Sequence, residues 1–275
     1  MKYNASLDNV LRMQRIGSDI LPFYSHEDIS WFYADKDVKD FLEKNLKQIG
    51  DFAKNHNIRL SFHPGQYCVL SSDKEEVIIN SIKEFEYHTD VARMLGYTSW
   101  HENGFAINVH VGSRKGGIEK LKQTIPKLSK ESKNLITIEN DENSFGLDDV
   151  LELSNICSIV LDVHHQWVYN GEFIDPNDNR FKKVIESWKD VRPKIHYSLS
   201  RENITDCNTL PNLEKLLECG HKKQKLRAHS DMCWNNKLNN MVLKFLPYAD
   251  IMVEAKMKNL ASSQLYNYYK GTHNE

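Results

Sequence analysis

The chain has 275 residues, 40% hydrophobic and 27% charged, with a formal net charge of −2. That is an ordinary globular composition with ample material for a core. It excludes nucleic-acid binding by overall basicity and leaves only a local patch or bound cations for such a role. The five cysteines form no CxxC pair and read as free thiols of a reducing compartment. The first residues hold no apolar signal core and no run reaches membrane-spanning length, so an intracellular protein is expected.

Residues 1–11 offer no strong element, and Met13 to Gly17 reads as a strand. Val38, Phe41, Leu42, Leu46, Ile49 and Phe52 recur at helical spacing and predict an amphipathic helix over about 36–56. Ile58 to Phe62 reads as a short buried strand in which Leu and Phe alternate with Arg and Ser. It ends in His63-Pro64-Gly65-Gln66-Tyr67, a rigid turn presenting an amide and an aromatic ring. Ser72 and Glu75 have the spacing of a capping box ahead of a second amphipathic helix, about 73–95. Phe105 to Val111 predicts a strand, and Gly116-Gly117 opens a helix disturbed at Pro126. Further strands are expected at Leu135 to Glu139, Ser158 to Asp162, Lys194 to Ser198 and Asp250 to Glu254, with another extended piece from Lys225 to His229. Helices are expected from Leu147 to Leu153, through Phe181 to Trp188, over about 211–219 and 237–247, and at the end of the chain. Strands alternating with helices predict a parallel sheet covered by helices. The length suits a single α/β domain over residues 1–275, a TIM-type (β/α)8 barrel with no internal boundary.

The strand ends carry the chemistry. The expected strands finish at His63, His110, Glu139, Asp162, His196 and Glu254, with His165 three residues beyond Asp162, and the extended piece closes at His229. In a parallel barrel the carboxyl ends of all strands share one face, where active sites are built. Any single strand-end Asp or Glu is more often a helix cap or a salt-bridge partner, and a barrel histidine is often only hydrogen-bonded in the interior. Successive apolar strands each ending in a metal-ligand type are hard to obtain from packing alone. Crowded carboxylates also repel one another, and few Lys or Arg lie at these ends to offset them. The donors exceed what one ion needs and imply two or three divalent ions with a bridging carboxylate. Such an arrangement suits phosphodiester hydrolysis, one ion acidifying a water and another neutralising the leaving oxygen.

HPGQY at 63–67, IEND at 138–141, LDVHH at 161–165, IHYS at 195–198, RAHSD at 227–231 and DIMVEAK at 250–256 resemble the UV damage endonucleases. These are barrel enzymes of DNA repair related to the endonuclease IV group. The resemblance implies hydrolysis of duplex DNA immediately 5′ of UV photoproducts, leaving a 3′-hydroxyl and a 5′-phosphate. It implies metal ligands at His63, His110, Glu139, Asp162, His165, His196, His229 and Glu254, with Glu139 the bridge. The metal it implies is manganese first, with zinc or magnesium as alternatives that a mixed shell cannot separate. It assigns catalysis to Glu139, His63, His110 and Lys194, the lysine in carboxylated form; the other reading of Lys194 is a plain surface or barrel lysine. It makes Gln66 and Tyr67 the residues that probe the lesion, where an aromatic ring can stack in the gap left by displaced bases. The other reading of Tyr67 is a ring packed on its own loop. Arg114, Lys115 and Arg227 are weaker candidates for DNA phosphate contacts.

Damaged double-stranded DNA is the expected partner, with no membrane, for a monomer in the cytoplasm beside nucleoid DNA, or in the nucleus of a eukaryote. The family begins with a further strand and helix ahead of the segment matching Arg12 to Pro22, so an incomplete or irregular first strand-helix unit is expected. The competing readings are an abasic-site nuclease of endonuclease IV type, a metal-dependent sugar isomerase, which needs no exposed Gln-Tyr tip, and a non-catalytic DNA-binding remnant.

Overall fold

The computed structural model describes residues 1–201 and 204–273. They group into two compact units, Met1–Ile138 with Asn155–Ser158 and Glu139–Ser154 with Ile159–Glu275.

In the first unit, β1 (Met13–Ile16), β2 (Arg59–Phe62), β3 (Ala106–His110) and β4 (Ile136–Glu139, whose last residue opens the second unit) follow one another across a sheet. β1 and β2 run parallel with Met13 opposite Arg59 and Ile16 opposite Phe62; β2 and β3 run parallel with Ser61 opposite Ala106. Parallel neighbours need long crossovers, and helices Lys36–Asn55, Glu75–Met94 and Gly117–Thr124 lie in them. The first is capped by Asp35, which accepts from the amides of Asp37 and Val38 at 2.9 and 3.2 Å. It turns Leu46, Gly50 and Ala53 inward. At Gly50 a Cβ would stand 1.7 Å from the carbonyl oxygen of Leu95, so only glycine allows this approach. As expected from Pro126, helix Gly117–Thr124 gives way to a 3-10 turn, Ile125–Lys127.

All four residues of β2 are buried, as expected of this strand; a parallel strand is covered on both sides. Arg59 is accommodated by donating from Nε to the carbonyl of Gly104 at 2.9 Å. The capping box does not form: Ser72 Oγ accepts from the amide of Lys74, and the helix starts at Glu75 without a side-chain cap. The segment before β1 holds a helical turn, Lys2–Ala5, and a 3-10 turn, Asn9–Leu11, where no element was expected. Asn4 Nδ2 donates to the Gln14 side chain at 3.1 Å, which fastens this irregular lead to β1.

The second unit takes up β5 (Ser158–Val160) from Ile159 onward, then β6 (Lys194–Tyr197) and β7 (Asp250–Val253). β6 and β7 pair in parallel from Lys194 opposite Asp250 to Tyr197 opposite Val253. Beyond β5 the amide of His196 donates to Leu161 O at 2.9 Å, and Asp162 bridges in parallel to His196. Trp188 Nε1 donates to Ile159 O and Ser187 Oγ accepts from Ile159 N, which locks helix Asn179–Ser187 against β5. A helix absent from the sequence expectations, Val163–Asn170, begins directly after Asp162 and ends at Gly171 in the left-handed region. Residues 225–229 do not form the expected extended piece: Lys223–Leu226 is helical, and His229 makes an isolated antiparallel bridge with Ser200. The described residues therefore hold seven strands rather than eight extended pieces.

Gly50→Ala is expected to cost about 1–3 kcal/mol or more of folding stability through backbone overlap at Leu95. Urea unfolding of variant and parent measures it, and an unchanged midpoint would show that the helix can move away freely.

Candidate metal centre

In the second unit, burial brings acidic and imidazole groups together. Glu139 is fully buried, with Oε1 3.3 Å from His165 Nδ1 and Oε2 3.0 Å from His196 Nδ1. His196 Nδ1 is also 3.0 Å from Glu254 Oε1. Asp162 caps helix Val163–Asn170 by accepting from the His165 amide at 2.7 Å through Oδ1. The cap and ligand readings of Asp162 are thus compatible: one oxygen caps, and the other, Oδ2, is buried without a hydrogen bond. Ligand atoms of Glu139, Asp162 and His165, and again of Asp162, His196 and Glu254, lie within 4.8 Å of one another.

The electrostatics follow from this crowding. Burial, reinforced by Glu139 and Glu254, holds Asp162 well above the usual carboxylate range against the pull of His165. For His165 burial disfavours the charged form, but Asp162, Glu139 and Glu142 outweigh it and hold the ring well above its ordinary value. Burial dominates at His196 and pushes it down to about 4. A buried carboxylate oxygen without a hydrogen bond is costly, and a cation would satisfy it. Carboxylate oxygens and imidazole nitrogens suit divalent first-row ions, so the donor set fits.

Backbone contacts orient these rings. Nδ1 of His165 lies 3.1 Å from Asn140 O, and Nδ1 of His229 lies 2.8 Å from Glu254 O. A ring that donates from one nitrogen presents the other as a ligand. Asn140 also joins Asp162 twice, accepting its amide at 2.8 Å and donating to its carbonyl at 3.0 Å. This positioning role escaped the sequence reading, although Asn140 lies inside IEND. His164 escaped it too: it is buried, and burial holds it well below its ordinary pKa. Lys194, first in β6, is buried, which removes the surface reading.

His229 and His165 open onto a cleft of about 680 Å³ that Arg201, Lys225, Arg227 and Lys256 also line. It is a local basic patch of the kind a net charge of −2 leaves room for. Arg227 stands 3.4 Å from Glu142.

In the first unit, His63 follows β2 and His110 ends β3, with ring centroids 5.2 Å apart. His63 Nδ1 lies 3.1 Å from Pro64 O. The Cys68 amide donates to Gly65 O at 3.0 Å, a turn that places Gln66 and Tyr67 at its tip. Tyr67 is 84% exposed, so it is not packed on its own loop. Arg114 and Lys115 are exposed, with Lys115 3.7 Å from Asp73.

Parallel strands joined by helices, with a buried His/carboxylate cluster, define an α/β protein of the TIM-barrel class. The chain belongs to the UV-endonuclease UvdE family, whose model matches residues 1–273. A UV DNA damage endonuclease of Clostridium perfringens is 38% identical over 200 residues, 70% of this chain and 47% of that protein, so the match spans about half of its length. The crystal structure of SacUVDE superposes with a TM-score of 0.76 at 28% identity, covering 98% of this chain and 83% of that one. Endonuclease IV from Thermus thermophilus, at 11% identity and a TM-score of 0.53 over 83% of this chain and 81% of that one, shares the fold.

Asp162→Asn keeps the helix cap, because Asn caps as well as Asp, and removes the buried charge. With its folded pKa raised, ionised Asp162 subtracts stability as pH rises above the unfolded carboxylate value, so at neutral pH with chelator the variant should melt higher than the parent. Added manganese or zinc should reverse the order by stabilising the parent more. Thermal unfolding in both conditions decides it; a lower melting point in chelator would contradict the assigned charge burden.

Proposed function

We propose that residues 1–275 form one barrel domain that recognises UV photoproducts in duplex DNA. It hydrolyses the phosphodiester bond immediately 5′ of the lesion, leaving a 3′-hydroxyl and a 5′-phosphate. The observation that carries the reading is the buried convergence of Glu139, Asp162 and Glu254 with His165 and His196. Family membership narrows the chemistry that such a cluster serves. Two or three divalent ions, manganese foremost, are held by His63, His110, Glu139, Asp162, His165, His196, His229 and Glu254. When bound, they supply positive charge to draw in a phosphate and to acidify a water.

Glu139 faces a different imidazole with each oxygen, which suits a bridging ligand. Asn140 and the backbone carbonyls hold His165 and His229 in one orientation. Lys194 adds a further ligand in its carboxylated form and acts with Glu139, His63 and His110 in catalysis. Gln66 and Tyr67 enter the duplex at the lesion, where damaged pairing makes displacement of bases cheapest. The exposure of Tyr67 on a tied turn supports this role. Arg114, Lys115 and Arg227 meet phosphates. The protein acts as an intracellular monomer.

The test is incubation with manganese and end-labelled duplexes carrying one thymine dimer, one abasic site or no damage. A nick just 5′ of the dimer, abolished by EDTA, is the expected result. Cleavage at the abasic site alone would replace this reading with an endonuclease IV type. Glu139→Ala should reduce nicking to background and lower the metal content measured by mass spectrometry. Tyr67→Ala should leave metal content intact and lose about 1–3 kcal/mol of preference for damaged DNA; unchanged preference would remove Tyr67 from its role.

A further inference from the structure

The loop after β1 is tied down on every side of one residue. Tyr87 Oη donates to Ser18 O at 2.8 Å and accepts from the Leu21 amide at 3.1 Å. Tyr33 Oη donates to Pro22 O at 2.8 Å, and Tyr24 Oη donates to Asp90 at 2.9 Å. The Tyr24 ring packs on Tyr33 and Tyr87 at 4.8 and 5.1 Å. On the far side the His26 amide donates to Phe23 O at 2.9 Å. Leu21 is buried beside this belt.

Phe23, in the middle, does the opposite. Its side chain is 70% exposed and its φ is +59°, in the left-handed region. A bulky aromatic residue rarely adopts that conformation. Such strain persists only where the surroundings over-determine it, and it gathers at functional sites. Here the tyrosine belt holds the backbone and turns an apolar ring into solvent, where it contributes nothing to the core. Trp31, also exposed, sits on the helical turn Ser30–Ala34 without positive φ and shows no such enforcement.

The position of the loop indicates what the ring meets. It leaves the carboxyl end of β1, as HPGQY leaves the carboxyl end of the parallel neighbour β2. Ser18 Oγ donates to His63 O at 3.2 Å, which joins the two loops at their bases. Each loop thus raises one exposed ring from the same sheet end, Tyr67 on one and Phe23 on the other. Resting on the reading of Tyr67 given above, we propose that Phe23 is a second aromatic probe, which stacks on the bases of the damaged duplex. Every base offers a π-face, so an unsubstituted phenyl ring stacks without reading sequence. Two rings entering together fill more of the gap at a two-base lesion than one, and the preference for damage then depends on both. The hydrogen bonds fix the backbone beneath the ring before DNA arrives, so little ordering of the loop is required on binding.

Phe23→Gly separates this role from a structural one, because glycine adopts positive φ freely. Its thermal stability should match or exceed that of the parent. Its ratio of kcat/KM for dimer-containing over undamaged duplex should fall roughly 5- to 150-fold, the range of one stacked base. The fluorescence of 2-aminopurine placed opposite the dimer should lose part of its rise on binding, and Phe23→Trp should restore both readouts. A Phe23→Gly ratio within about twofold of the parent overturns the proposal, as does a melting point that falls with the ratio and that Trp does not restore. If the parent itself shows no preference for the dimer, the endonuclease reading fails and the Phe23 proposal with it. If the parent prefers the dimer and Phe23→Gly does so equally, only Phe23 is removed.

Discussion

The burial of several carboxylates at one place is the constraint on which the second unit depends. Glu139 and Asp162 are fully buried, and Glu254 is nearly so. In a low-dielectric interior their charges repel one another and lose their hydration, and Asp162 is held well above its usual range as a result. Imidazoles meet part of that demand: His165 is drawn toward its charged form, whereas His196 is kept neutral by its own burial. One oxygen of Asp162 is engaged in a helix cap, and the other retains its unmet hydrogen-bonding capacity. Such a cluster is unfavourable as packing and well suited to a cation.

The surrounding fold is arranged to keep that cluster in register. β6 and β7 place His196 opposite Met252, and Glu254 is positioned by its amide on Tyr197 O at 2.8 Å. Asn140 couples the end of β4 to Asp162 through a pair of hydrogen bonds and to His165 through its carbonyl. His229 reaches its place through an isolated bridge and a carbonyl contact rather than through a regular strand. The ligand types are thus held mostly by backbone, which has the least freedom to relax away.

The first unit shows the complementary arrangement. Tightly packed helices and a buried parallel sheet carry loops whose tips hold aromatic rings in solvent. Tyr67 is presented by a hydrogen-bonded turn between buried Pro64 and Cys68, and Phe23 by a strained residue inside a tyrosine belt. Rigid bases and exposed tips suit the probing role proposed above, because the ordering cost is met during folding.

Much of this was legible in the sequence. Strand cores such as AINVH and LITIE announce themselves by continuous apolar runs, because a strand covered on both faces needs them. The ligand types at their ends stand out because packing alone does not call for them. Helix Val163–Asn170 was hidden by its two histidines and its short length, and Lys223–Leu226 passed for extended chain because four residues carry almost no periodicity. Ser72 and Glu75 had the spacing of a capping box, but Ser72 turned to the Lys74 amide and the helix started later. Residue order by itself determined the parallel α/β class and put candidate donor types at the strand ends. Only the tertiary structure decided which oxygen of Asp162 caps, that Lys194 is buried, that Asn140 holds both Asp162 and His165, and that Phe23 is held out in a strained conformation. Those outcomes depend on contacts between residues distant in the chain, whose cost and geometry no local pattern encodes.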